Sequence, residues 1–152
     1  MVEKLGTLTD PNALCNDYFF ALGAQGIVFD GAEPLLDVLR QKGYVLAAVT
    51  NGALKTQTKR INNSGIGHYF NGGIYISEQV GFKKPEKEYF DHVLKALGVT
   101  DRSEVLLLGD SPSSDILGAM NAGLDACFVT IRGEQLPKEL YAKYTVTDLD
   151  QI

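Results

Sequence analysis

The feature that most narrows the fold of this chain is a repeated switch of apolar period. Short continuous apolar runs at residues 44–50 (YVLAAVT), 73–77 (GIYIS), 105–110 (VLLLGD) and 126–131 (ACFVTI) alternate with stretches of helical spacing. Continuous apolarity, as opposed to alternation, marks strands buried on both faces, as in a parallel sheet between helices. Pro34 suits a first helical turn ahead of Leu35, Leu36 and Leu39, with Gly43 as the stop. Phe90, Val93, Leu94 and Leu97 fall at i, i+3, i+4 and i+7 before Gly98, the clearest helix in the chain. Ile116, Leu117 and Met120 form a shorter stripe, with the serines of 111–114 as caps in front and Gly123 behind. Residues 53–63 give a weaker, more polar helix, and residues 11–22 a helix with Leu14, Tyr18, Phe19 and Leu22 along one side. A short strand or helix is expected over 146–152. The pattern predicts an α/β fold, a three-layer, Rossmann-like parallel sheet flanked by helices.

Composition and charge bound the partners. Apolar residues at 45% and charged residues at 22% are globular values. At 152 residues the chain fits one domain. A domain of that size buries roughly 70% of its unfolded surface and needs neither metal nor disulfide to fold. The net charge of −5 lies in the second half: residues 1–76 carry six basic and six acidic side chains, and residues 77–152 eight and thirteen. No Lys/Arg stripe forms, so no nucleic acid polymer is expected as a partner. The first ten residues have no apolar leader core, and no run approaches the ~20 apolar residues of a membrane span. Cys15 and Cys127 lack metal-ligand spacing and read as reduced core thiols of a cytoplasmic protein.

In a parallel α/β sheet, ligands bind beyond the carboxyl ends of the strands. The first run ends in Thr50-Asn51-Gly52, the second leads to Lys83-Lys84-Pro85, and the third ends in Gly109-Asp110 followed by Ser111 to Asp115. These groups are expected to converge on one edge. A hydroxyl, a side-chain amide and free backbone amides at a strand-to-helix turn suit phosphate oxygens. Lys84 supplies a positive charge toward a phosphoryl group. Asp110 and Asp115, five positions apart where a helix opens, suit Mg²⁺, which takes one or two carboxylates plus water and substrate oxygens. Each feature alone has a plainer explanation: an Asx turn at Asn51, a solvated lysine, a helix N-terminal charge at Asp115. Their order and placement argue for a phosphoryl-transfer site that lacks a nucleophile.

With VTNG, then VGFKKP, then LLLGDSPSSDILGAMNAG, the chain resembles the haloacid dehalogenase-like hydrolases in their second, third and fourth motifs. The likeness is nearest to the small-molecule phosphatases and noncanonical nucleotidases whose helical cap follows the first strand, and it runs from about Gly31 to Ile152. It implies that Thr50 and Asn51, with Gly52 beside them, hold the phosphoryl group. Lys84, not Lys83, would be the catalytic lysine that neutralises charge on nucleophile and phosphate. Asp110 and Asp115 would hold Mg²⁺ directly or through water.

The resemblance also exposes a departure. The family begins with an apolar strand ending in DxDGT, which carries the nucleophile and the general acid, and nothing before Thr50 matches it. Residues 1–30 resemble the tail and linker of the helical cap, and residues 31–152 the core. The absent strand is the centre of the family's sheet, so the 44–50 and 73–77 strands should be separated from the 105–110 and 126–131 strands. Residues 26–30 (GIVFD) superficially resemble that strand, but position 32 is Ala, which leaves no general acid.

The expected function is the core of a Mg²⁺-dependent phosphatase for a small phosphorylated metabolite, a nucleoside monophosphate among the candidates. Without its nucleophile the chain should be inert alone and bind Mg²⁺ weakly. The rival reading is a non-catalytic, truncated or degenerate family member that self-associates. The unpaired strand edges can be met by direct pairing of the 44–50 and 105–110 strands, by residues 24–30 filling the slot, or by a second copy in a homodimer, and self-association is expected. A response-regulator receiver uses similar groups, but there the acidic pair precedes the threonine and lysine. Here the order is Thr50, Lys84, Asp110.

Overall fold

The computed structural model describes residues 10–130 and 133–152. The strands and helices alternate as the apolar pattern predicts. Helix α1 (Pro11–Ala24) and α2 (Ala32–Gln41) precede strand β1 (Ala47–Thr50); α3 (Leu54–Ser64) and a 3-10 turn (Ile66–Tyr69) lead to β2 (Gly73–Ile76). The short helix α4 (Ser77–Val80) and α5 (Lys87–Ala96) precede β3 (Leu106–Gly109). A wide turn over Pro112–Ile116 runs into α6 (Leu117–Ala122), followed by β4 (Asp125–Val129), β5 (Tyr144–Val146) and a 3-10 turn at Leu149–Gln151.

The strands form two parallel sheets. β1 pairs with β2 from Ala47 opposite Gly73 to Thr50 opposite Ile76. β3 pairs with β4 from Leu106 opposite Asp125 to Gly109 opposite Phe128, and β4 with β5 from Cys127 opposite Tyr144 to Val129 opposite Val146. Among the described residues no strand pairs with the second edge of β1 or of β3. The GIVFD segment fills neither edge: residues 25–29 are irregular, and Ile27 is 86% exposed.

One core spans both sheets. Tyr89, Phe90 and Val93 of α5, with Ala122 of α6, gather Val49 and Tyr75 from the first sheet and Leu107 from the second. Ile116 and Ala119 pack with Ala126 and Phe128 on the same face of the second sheet. Cys127 and Val129 point to the opposite face and meet Leu108, Val146 and Leu149. Successive β4 residues thus serve two layers, which is why that run is apolar throughout.

Several expectations need correction. The 44–50 run becomes a strand only at Ala47, and Tyr44 and Val45 stay largely exposed. Pairing opens at Leu46, whose N–H donates to the Asn71 side-chain oxygen and whose carbonyl accepts from Gly72 N–H. Strand β5 starts at Tyr144, two residues before the expected final element, because it extends the second sheet beside β4. Ile131, at the end of the 126–131 run, and residues 1–9 of the expected cap remnant lie outside the described residues.

Cys127 is buried, and burial pushes its thiol up. Cys15 is exposed, contrary to its reading as a core thiol. Helix α1 touches the rest of the protein mainly through its C-terminal end, where Lys59 sits over the Phe20 ring and Asn63 donates to the Gly23 and Ala24 carbonyls. Its earlier turns, with Leu14, Cys15, Tyr18 and Phe19, face outward. No helix among the described residues is long and apolar enough to cross a membrane.

Candidate active site

The site forms where β1 and β3 end and the 81–86 loop crosses between them. Lys84 is its hub. Its ammonium donates to Asp115 Oδ1 at 2.7 Å and to the Val49 carbonyl at 2.9 Å. Both members of the ion pair are largely buried, with side-chain exposures of 11% for Lys84 and 7% for Asp115. The Leu46 carbonyl faces β2, so the carbonyl three residues on, at Val49, faces the edge of β1 away from β2, and Lys84 caps it there.

Asp115 is held on both oxygens. Oδ2 accepts from Ser111 N–H at 3.1 Å while Oδ1 takes the lysine. Ser111 caps the following turn by accepting from Ser114 N–H. Gly109 makes this possible: a Cβ there would lie 2.4 Å from Asp115 Cβ. Only a residue without a side chain lets the strand end and the carboxylate approach so closely.

Asn51 and Gly52 bind other parts of the protein. Asn51 Oδ1 accepts from Lys84 N–H, and its Nδ2 donates to the Lys84 carbonyl, each at 2.9 Å. The Gly52 N–H donates to Ser77 Oγ at 2.9 Å, so this amide is committed within the fold. Thr50 is half-buried, and its hydroxyl makes a long 3.4 Å contact to the Asn51 carbonyl. Asp110 is exposed and lines a cavity of about 290 Å³ with Phe29, Leu108, Val129, Glu134 and Leu149. The structure therefore joins Asn51, Lys84 and Asp115 directly, with Thr50 adjoining Asn51 in the chain. It links Asp110 to none of them by a hydrogen bond or ion pair among the described residues.

Three supporting residues escaped the sequence reading. Tyr89, fully buried, accepts from Thr50 N–H at 3.1 Å and donates to the Tyr75 carbonyl at 2.6 Å, tying the ends of β1 and β2 together. Burial pushes its phenol up to about 12; the Thr50 bond opposes that and the Asp115 charge adds to it. Ser77, at the end of the 73–77 run, receives the Gly52 amide, and Glu78 Oε2 accepts from Leu54 N–H at 2.6 Å to cap α3. Ser77 had a signal, a hydroxyl at a strand end like Thr50. Tyr89 had none, since a tyrosine in an apolar helix stripe reads as packing.

Among the described residues no three His, Cys, Asp or Glu side chains gather for a metal. Asp110 offers an exposed carboxylate, and Asp115 keeps lone pairs beyond its two bonds. That fits the one or two carboxylates with which Mg²⁺ is held among waters, and it falls short of a closed cage.

The family model of the haloacid dehalogenase-like hydrolases matches residues 4–123. The chain is 34% identical over 143 residues to the pyrimidine 5'-nucleotidase YjjG of Escherichia coli, covering 94% of this chain and 63% of the relative. It is 33% identical to the pyrimidine 5'-nucleotidase PynA of Streptococcus pneumoniae, covering 98% and 64%. The crystal structure of the putative HAD-hydrolase YfnB from Bacillus subtilis, bound to magnesium, superposes with a TM-score of 0.89 at 33% identity, over 99% of this chain and 65% of that one. The chain spans less than two thirds of the length of these proteins. With its parallel sheets, its lysine–aspartate hub and this match over most of its length, the chain belongs to the haloacid dehalogenase-like hydrolases.

Proposed function

We propose that this chain is the phosphate-, lysine- and metal-bearing core of a Mg²⁺-dependent phosphatase of small phosphorylated metabolites, with nucleoside monophosphates the favoured class. The observation that carries the reading is the Lys84 ammonium, held on Asp115 and the Val49 carbonyl at the strand ends. In that role Lys84 neutralises phosphoryl charge, and the Thr50 hydroxyl and the backbone at Asn51 orient the phosphoryl oxygens. Asp110 and Asp115 would hold Mg²⁺, which when bound offsets negative charge on the phosphoryl group. The resemblance implies a full reaction in which an aspartate carboxylate would attack phosphorus as the ester P–O bond breaks, the leaving oxygen taking a proton from a general acid. Water would then hydrolyse the aspartyl phosphate to inorganic phosphate. The resemblance puts the nucleophile in a DxDGT motif that no stretch before Thr50 matches, so the chain by itself is expected to bind without turnover. The two nucleotidase relatives support the nucleotide preference, and a cytoplasmic location fits such a substrate. Titration of UMP, CMP and ribose 5-phosphate with Mg²⁺, followed by amide NMR, tests this reading. Shifts centred on Thr50, Asn51 and Lys84 are expected, and shifts elsewhere or none refute it.

A second reading rests on a separate observation, the edges of β1 and β3 that no strand among the described residues pairs. Exposed ladder groups beside apolar side chains such as Leu106, 42% exposed, are adhesive. Under this reading the chain is a non-catalytic homodimer. Sedimentation at micromolar concentration reports it directly: a dimer is expected, and a monomer whose β1 and β3 amides resist exchange rules it out.

A further inference from the structure

We propose that Asn51 is a positioning residue for Lys84 and not a ligand of phosphate. Its primary amide is spent on one residue's backbone: Oδ1 takes the Lys84 N–H and Nδ2 donates to the Lys84 carbonyl, both at 2.9 Å. This is the pair of bonds a neighbouring strand would offer, made by a side chain 33 positions away. The rest of the loop is held more locally, by Glu86 Oε2 accepting from Lys83 N–H and by Glu86 N–H donating to the Lys83 carbonyl. The clamp fixes the Lys84 backbone beside the end of β1, and the side chain then reaches Val49 and Asp115. Gln57 Nε2 braces the clamp from behind by donating to the Asn51 carbonyl at 2.9 Å. With the amide turned toward Lys84, one Nδ2 hydrogen remains, so the side chain has little left to offer an anion.

The consequence for phosphate rests on the function proposed above, whereas the clamp itself is testable without ligand. In the ¹⁵N-labelled chain, the Lys84 amide should be protected from exchange and its ammonium resonance visible. Asn51→Ala should lower that protection at least about tenfold, the loss expected when a pair of hydrogen bonds is removed. Asn51→Asp, which retains an acceptor for the Lys84 N–H, should keep most of the protection, as should Thr50→Ala. Unchanged protection in Asn51→Ala overturns the proposal. The second arm titrates inorganic phosphate with Mg²⁺. Asn51→Ala should weaken binding about tenfold in the native background and less than twofold in a Lys84→Met background, because coupled residues are not additive. Equal losses in both backgrounds make Asn51 a direct ligand and overturn the proposal. If the native chain binds no phosphate, the proposed function fails, and the exchange measurement alone decides the clamp.

Discussion

Lys84 Nζ lies 2.7 Å from Asp115 Oδ1, and this ion pair joins a loop leaving the first sheet to the turn that leaves the second. Because the same ammonium caps the Val49 carbonyl, one side chain spans the ends of two sheets that share no ladder hydrogen bond. Removing one partner of a buried pair strands the other charge. Lys84→Met should therefore destabilise the chain by about 3 kcal/mol, read as a shift in the urea midpoint. A change under about 0.5 kcal/mol, the usual size at an exposed site, would show that the pair is not the link described.

Tyr89→Phe should cost about 1–3 kcal/mol, since it leaves the Thr50 N–H and the Tyr75 carbonyl without their shared partner. The hydroxyl also has a pH signature. A phenol held at about 12 in the fold and 10 in the unfolded chain contributes stability that is complete below pH 10 and lost as the pH climbs to 12. The unfolded state gives up its proton first in that window, so the slope is negative. Native protein should lose stability across it more steeply than Tyr89→Phe, and parallel curves for the two would contradict the assignment.

Gly109→Ala should push Asp115 away from Lys84, because the new Cβ would fall 2.4 Å from Asp115 Cβ. Overpacking of this kind costs about 1–3 kcal/mol, to which the disturbed ion pair adds. Thermal unfolding measures the loss, and a variant as stable as the native chain would mean the turn relaxes freely.

Mg²⁺ should shift the amides around Gly109, Asp110 and Ser111 without saturating at micromolar concentration, as one exposed carboxylate and one already paired with lysine make a weak site. Asp110→Asn should abolish the response. Saturable micromolar binding would contradict this, since it would require a further carboxylate at the site.

Much of this was legible in the sequence because the signals were local. The α5 stripe of Phe90, Val93 and Leu94 is buried as its spacing requires, and the four apolar runs supply β1 to β4. The union of Lys84 with Asp115 follows from both residues lying in the segments that leave the carboxyl ends of β2 and β3. What was hidden depends on partners far apart in the chain. The Asn51 amide turns to Lys84, the Gly52 amide to Ser77, and Tyr89 reaches Thr50, over separations of 25 to 39 positions. Cys15 was misread because an apolar helix does not reveal which of its faces the fold will cover. Asp110 makes no hydrogen bond or ion pair with Lys84 or Asp115 among the described residues, a separation of roles between two nearby carboxylates that the spacing does not show.

The most direct test of the account is hydrolysis of p-nitrophenyl phosphate by the purified chain with Mg²⁺, run beside Lys84→Met. The account predicts that both release nitrophenol at the rate of buffer alone, while the native chain still shows phosphate-dependent amide shifts at Thr50, Asn51 and Lys84. Mg²⁺-dependent turnover by the native chain that Lys84→Met abolishes would contradict it, since a nucleophile would then be present within these residues.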